Sequence, residues 1–364
     1  MKVNINANLI IRLSAVIFVC ILAWYFSGLV LYVFLAFIFS LIGKPIAKKI
    51  NSIRIYKFHI SYGISTVITM AIFILFFTLI LLFFVPMLTR EAQVIARINY
   101  DDLSRNLSYL LNSVQDFLYN NSLIDEHETL VGMITNEVKN FVSLTKFSNL
   151  LGGVVSATSS FLMGLFAVFF LTFFFIKDDI RIDMLAQLLF GERHAVRLTV
   201  VSEKINNLLS RYFIGLLIEI VSMISLLYIG LAIFGVKGAL LMAFFGGMLN
   251  AIPYLGPLIG ALFSCLFGAV DCISVNDYQA ILPTMLKIGG TFLGANLVDN
   301  LVLQPLIYSQ SVKAHPVEIF LVVIMGGSLA GVMGMLFAIP VYTIVRCVVV
   351  ELFNYVNTNN IEKR

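Results

Sequence analysis

From Ile60 to Leu88 the chain runs without one charged side chain. A bilayer's hydrocarbon core is about 30 Å thick, which roughly 20 apolar residues cross as a helix. Comparable runs recur at Leu9–Ile42, Leu151–Ile176, Phe213–Phe234, Ala239–Val270, Ala280–Leu303 and Val317–Val350. Between them they hold only a few charged side chains, Arg12, Glu219, Lys287, Asp299, Glu318 and Arg346. A soluble domain is about half apolar and about a quarter charged; this chain is 60% hydrophobic and 12% charged, with mean hydropathy +0.98. The expected fold class is therefore an all-α polytopic membrane protein. Leu9–Ile42 is long enough for two short spans turning near Tyr25–Gly28, which makes about eight spans in all; one long tilted helix is the rival reading. The Leu9–Phe18 run has no small-residue cleavage site and leads into more apolar sequence, so it does not read as a signal peptide.

Charge sets the orientation. Gly43–Phe58 carries Lys44, Lys48, Lys49, Arg54 and Lys57 with no acid, so the positive-inside rule places it in the cytoplasm. Alternation then puts the acid-rich Thr89–Asn149 outside, Lys177–Arg211 inside, and both termini in the cytoplasm. In the external segment Leu103, Leu107, Leu110, Val114 and Phe117 step by fours and threes, and Leu130, Ile134, Val138 and Phe141 repeat the pattern. Each set lines one face of an amphipathic helix. Met184, Leu185, Leu188 and Leu189 make a shorter one inside, ended by Gly191, and a further helix from about His194 runs into the Phe213 span. Four parts follow: 1–88 as amino-terminal spans, 89–150 as the external helical segment, 151–212 as a fourth span with linker helices, and 213–364 as a transport core.

That core is marked by glycine and proline inside apolar sequence. The first break reads Gly246-Gly247-Met248-Leu249-Asn250-Ala251-Ile252-Pro253-Tyr254-Leu255-Gly256-Pro257. The second set passes from Asn296 and Asp299-Asn300 through Gln304-Pro305 and His315-Pro316 to Gly326-Gly327 and Pro340. Irregular backbone at membrane depth survives only where protein buries it or water lines it. Paired broken helices therefore point to a transport path. Close helix packing explains most of the glycines, but not Pro253 and Pro257, which remove backbone donors. Val236-Lys237 and Val312-Lys313 each precede an apolar run and a Gly-Gly pair, a faint internal repeat.

Several polar groups are candidates for chemistry in this core. Glu219 sits between Ile218 and Ile220, and a carboxylate near the bilayer centre costs at least about 2.5 kcal/mol. It reads either as a proton or cation site or as a structural hydrogen bond to a neighbouring helix. Asn296, Asp299, Asn300 and Gln304 lie at near-helical spacing, so most of them share a face able to line a wet path or ligate a cation through oxygen. The rival reading puts Asp299 at a helix end near Pro305. Asn250, Pro253, Gly256 and Pro257 complete the candidate set at the first break. Lys287 is expected to snorkel outward. Asp178 and Asp179 close a span beside Lys177 and are either gate residues or ordinary solvated charges. His315 before Pro316 reads as a turn residue.

Other classes find no support. There is no phosphate-binding Gly-x-x-x-x-Gly-Lys loop, no nucleophile elbow, and no second histidine at metalloprotease spacing after His127-Glu128. No cofactor or metal is expected, and basic residues do not cluster with aromatics as nucleic-acid binding requires. Cys20, Cys265, Cys272 and Cys347 are scattered and do not suggest a disulfide. A transporter and a non-transporting scaffold remain; a scaffold has no need of discontinuous helices at membrane depth.

Lys177-Asp178-Asp179 at the end of a span, Ile252-Pro253-Tyr254-Leu255-Gly256-Pro257-Leu258-Ile259-Gly260, Asn300 to Gln304-Pro305, His315-Pro316, and Gly326-Gly327 followed by Ala338-Ile339-Pro340 resemble the autoinducer-2 exporter family of bacterial permeases. The similarity covers nearly the whole chain. It implies a secondary transporter of the bacterial inner membrane, assembled as a homo-oligomer, with a pentamer the expected form. Its cargo would be a small organic solute such as autoinducer-2, moved outward, or a sodium or lithium ion exchanged for a proton. After Tyr212 this chain has Phe213-Ile214-Gly215-Leu216 where many relatives place a basic residue and a glutamine, which leaves that region without a transferable contact.

Overall fold

A computed structural model describes Ser14, Ile21, Leu22, 25–96 apart from 56–57, 162–178, 192–308 apart from 276, and 315–361. Nearly all of it is helix. The elements are α1 (Ser27–Asn51), α2 (Tyr62–Ala96), α3 (Leu162–Lys177), α4 (Glu192–Ile233), α5 (Ala239–Leu249), α6 (Leu255–Ser274), α7 (Ile281–Val298), α8 (Gln304–Tyr308) and α9 (Pro316–Ile361). A two-residue antiparallel pairing, Arg54–Ile55 with Phe58–His59, joins α1 to α2. Among the described residues, six helical segments are long and apolar enough to cross a membrane. Their outward side chains agree: Leu262, Leu286, Leu293 and Leu329 are more than 60% exposed, a surface that suits lipid rather than water. The external amphipathic pair, the Met184–Leu189 piece and most of Leu9–Tyr25 lie outside the described residues. The expected run from His194 into the Phe213 span is there as the single helix α4.

The chain divides into two compact units, one of Met1–Phe77, Ser160–Leu217 and Leu306–Arg364, the other of Thr78–Ser159 and Ile218–Pro305. In the first, Ile38, Leu41 and Ile42 of α1 pack with Met70 and Phe73 of α2, Ile176 of α3, and Leu209 and Phe213 of α4. Polar groups in this core are bonded to backbone, as an apolar surround demands. Thr172 donates to the Val168 carbonyl at 2.7 Å, and Ser210 to the Leu41 carbonyl at 2.8 Å.

Both expected breaks are reversals of direction rather than kinks. In the second unit α5 is an 11-residue helix, about 16 Å long and half a bilayer core. A Cβ on Gly256 would stand 1.9 Å from the Leu249 carbonyl oxygen, and one on Gly260 3.0 Å from the Gly246 Cα. These contacts are symmetric about Pro253, so α5 and α6 form an antiparallel hairpin that turns through Asn250–Tyr254. Ala239–Val270 is thus not one interrupted span. Tyr254 takes φ 66°, ψ −48°, a conformation that costs a non-glycine residue about 1–3 kcal/mol. Pro253 sits in the turn, and its carbonyl accepts from the Leu255 amide at 2.8 Å.

Pro257 lies in the first turn of α6, where amides have no intrahelical partner, so it frees no carbonyl within a helix. Pro257→Ala should accordingly change thermal stability in detergent little, by less than about 1 kcal/mol; a collapse of the folded protein would contradict this placement.

In the first unit α9 repeats the device. Helical geometry fails at Ala330 (φ −139°, ψ 22°) and Gly331 (φ 59°, ψ −142°), the latter a region that glycine alone occupies at low cost. Cβ atoms built on Gly326 and Gly334 would each collide with the other's carbonyl. The Tyr342 hydroxyl donates to Glu318 across the same fold. Val317–Val350 therefore folds back on itself at residues 330–331. The faint repeat now has a physical content: each Gly-Gly pair lies one turn before a reversal, where the returning helix needs room. His315 is the turn residue expected. Its carbonyl accepts from the Glu318 amide at 2.9 Å and its Nδ1 from the Val317 amide at 3.3 Å.

Candidate functional site

Four helical elements of the second unit converge on two carboxyl groups. Glu219 continues the α4 stripe Met223, Leu227, Leu231, each one turn apart and each buried. Asp299 likewise continues Ile288, Phe292 and Ala295 of α7. Helical periodicity thus turns both acids into the core. Asp299 is 0% exposed and Glu219 5%.

Between them stands Asn250, at the tip of the α5–α6 hairpin and 6% exposed. Its Nδ2 donates to Glu219 Oε1 and to Asp299 Oδ2, both at 3.3 Å, which uses both amide hydrogens. Gln304 Nε2 donates to the same Asp299 Oδ2 at 3.0 Å. The Glu219 carboxyl also adjoins that of Asp299. Asp299 Oδ1, though buried, has no hydrogen-bond partner among the described residues.

The approach of Gln304 depends on a local change of helix type. Asp299–Leu303 is π-helical, and the wider turn brings residue i+5 over residue i. An α-helix would place Gln304 well round from Asp299. The same change sorts the expected polar face into two. Asp299 and Gln304 point inward. Asn300 is exposed, and its Nδ2 donates to the Asn296 carbonyl at 2.9 Å and to Asn296 Oδ1 at 3.1 Å. These two asparagines therefore satisfy each other away from the carboxyl pair.

The remaining candidates have structural places. Pro253, Gly256 and Pro257 build the reversal that presents Asn250. Asp178 is exposed at the end of α3, in the other unit, and Asp179 lies outside the described residues. Lys287 is exposed, as expected of a snorkelling side chain. Sequence reasoning missed that Lys287 lines a cleft with Lys237 and Asp271; nothing in the local pattern links residues so far apart.

Chemically, the cluster offers carboxyl and amide oxygens and, among the described residues, no cationic partner to Asp299. An uncompensated buried charge is expensive, so the pair suits a bound proton or a small cation held by oxygen. Gln304→Leu removes one of the two amide donors to Oδ2 and should cost about 1–3 kcal/mol of stability. Unchanged thermal unfolding in detergent would show that the π turn does not serve this bond.

Comparison with known proteins agrees with the membrane architecture. The model of the AI-2E family transporter matches residues 13–354. A Bacillus subtilis (strain 168) protein named "Putative transport protein YueF" is 24% identical over 339 residues, covering 90% of this chain and 84% of that protein. YrrI of the same organism, similarly named, is 27% identical over 182 residues, 50% of this chain and 49% of its own length. MT0215 of Mycobacterium tuberculosis (strain CDC 1551 / Oshkosh), again named for transport, is 34% identical over 114 residues, 30% of this chain and 28% of that protein. With its apolar helices, paired reversals and buried carboxyl cluster, the chain belongs to the AI-2E family of membrane transporters.

Proposed function

We propose that this transporter couples flux to the exchange of a proton for a monovalent cation at the Glu219–Asp299 pair. The carrying observation is the buried Asp299 carboxyl, bonded among the described residues to neutral amides and a second acid, with one oxygen unpartnered there. Two carboxyls can share a proton when no cation is present and release it when a cation arrives. Sodium or lithium fits an all-oxygen site of this size. The AI-2E family name supports a second reading, outward movement of a small organic solute such as autoinducer-2. The same pair would then bind the coupling proton.

In this account the protein works in a bacterial inner membrane, as a homo-oligomer with both termini cytoplasmic. Its transport core lies within 213–364, and 89–150 forms an external module. The α4–α5 and α6–α7 connections then face outward, and α6 and α7 run between that face and the level of the pair.

Proteoliposomes of the purified chain, loaded with a pH dye or with autoinducer-2, separate the readings. Proton movement driven by a sodium or lithium gradient, in the absence of organic solute, favours exchange. Autoinducer-2 flux without any cation dependence favours solute export. Neither flux would refute both.

A further inference from the structure

The second unit holds a cleft of about 150 Å³ at the α4–α5 and α6–α7 connections, lined by Lys237, Asp271, Cys272, Thr284, Gly268 and Lys287 among others. One face of α6 leads away from it. Cys272, Gly268, Ser264, Gly260 and Gly256 are all buried and follow one another at four-residue intervals. Gly256 touches the backbone at Leu249 and Asn250, so this face runs from the cleft to the level of the carboxyl pair. Each four-residue step advances about 6 Å.

Small residues alone explain close packing, and Gly260 and Gly268 do pack closely. Ser264 does not fit that explanation. Its side chain is 0% exposed, yet its Oγ has no hydrogen-bond partner among the described residues. A buried helical serine ordinarily bonds the carbonyl one turn back, as Thr172 and Thr291 do. A hydroxyl left unbonded in an apolar unit costs about 1–3 kcal/mol. Ser264 and Asp299 are the two residues with such an atom among those described. They stand along one line, Ser264 between the cleft and the carboxyl pair.

Between Ser264 and that pair lies Phe292. A Cβ on Gly246 would fall 2.6 Å from its ring, and one on Gly260 3.3 Å, so the ring fills the space that the two glycines leave. Asp299 follows two turns later on the same face of α7.

We propose that the cleft, where Asp271 and Asp277 stand with Lys237 and Lys287, is the mouth of a route for a monovalent cation. The route is lined at mid-course by Ser264 and closed by Ile288, packed on Gly268, and by the Phe292 ring. This rests on the reading of the carboxyl pair as a cation and proton site. The Ser264 hydroxyl supplies an oxygen to the passing ion or its water. Withdrawal of Phe292 from the Gly246–Gly260 niche joins the Ser264 level to Asn250, Glu219 and Asp299.

Thiol modification tests the route without any transport assay. In a background with Cys20, Cys265, Cys272 and Cys347 changed to Ser, Ser264→Cys is near-isosteric. Ala243→Cys, at an equally buried position off the α6 line, serves as the packing control. A small cationic methanethiosulfonate reagent is added to the purified protein in liposomes. Ser264→Cys should react measurably, Ala243→Cys should not, and adding Phe292→Ala should speed only the former, by on the order of tenfold. Phe292→Leu, which keeps the volume change small, repeats the comparison if Phe292→Ala does not fold. Equal protection of both cysteines with either residue at 292 would overturn the route. Labelling of Ser264→Cys with proton exchange intact in Asp299→Asn would instead leave the route standing and remove the exchange reading.

Discussion

Asp299→Asn should cut cation-driven proton movement in proteoliposomes steeply while leaving the protein inserted and monodisperse. The substitution keeps shape and burial and takes away the ability to carry a charge. Asn250 and Gln304 both donate to Asp299 Oδ2, and an amide oxygen still accepts from them. The structural cost is therefore small, about 1 kcal/mol or less. The functional cost is the loss of one of two carboxyls, so the remaining Glu219 has no acid to share a proton with. A fall in exchange of on the order of a hundredfold is expected, since a coupling free energy of a few kcal/mol is lost. Glu219→Gln should act in the same direction. Asp299→Leu is a different experiment, because it strands the donors of Asn250 and Gln304 and should reduce folded protein as well. Full exchange in both Asp299→Asn and Glu219→Gln would reduce the cluster to a structural bond between helices.

The largest loss of stability is expected at the glycines of the two reversals. Gly256→Val and Gly334→Val each place a Cβ 1.9 Å from a backbone carbonyl oxygen, of Leu249 and Gly326 respectively. No side-chain rearrangement relieves a clash with backbone, so one limb of the hairpin has to move away. Overpacking a core with room to adjust already costs about 1–3 kcal/mol, and here the hairpin also loses its close contact. Both variants should yield little folded protein on size-exclusion chromatography in detergent. Gly289→Val is the control, since a Cβ there meets nothing within 4 Å; it should fold as the parent does. Normal yield of Gly256→Val would mean that α5 and α6 do not pack as described.

Much of this was legible in the chain because bilayer and backbone impose strict rules. Uncharged runs such as Ile60–Leu88 permit one structure, and the Gly-Gly pairs with Pro253 or Gly331 beyond them mark where a helix can break, although Gly289-Gly290 lies in the unbroken α7. What those signals do not carry is whether a break bends the chain or reverses it. That depends on which backbone approaches Gly256 or Gly334, a contact made by tertiary packing. Glu219 and Asp299 could be suspected from burial cost, and their alignment with Met223–Leu231 and Ile288–Ala295 was there in the spacing. Their meeting through Asn250 was not, since it needs the hairpin tip. The π turn at Asp299–Leu303 has no composition signature in Asp-Asn-Leu-Val-Leu, which is why Asn296 and Asn300 were grouped with the inward-facing pair. Nothing in the spacing sets Ser264 apart from the other small residues of α6; its unbonded hydroxyl is a property of the packing.

Proton release on cation binding tests the central claim most directly. The purified protein, in detergent and weakly buffered solution, is titrated with sodium or lithium chloride against a choline chloride control, and the pH is followed. Exchange at the carboxyl pair predicts release of up to about one proton per chain from the parent, saturating with the cation, and none from Asp299→Asn. Equal release from both proteins, or none from either across the cation series, would contradict the assignment of Glu219 and Asp299 as the exchanging site.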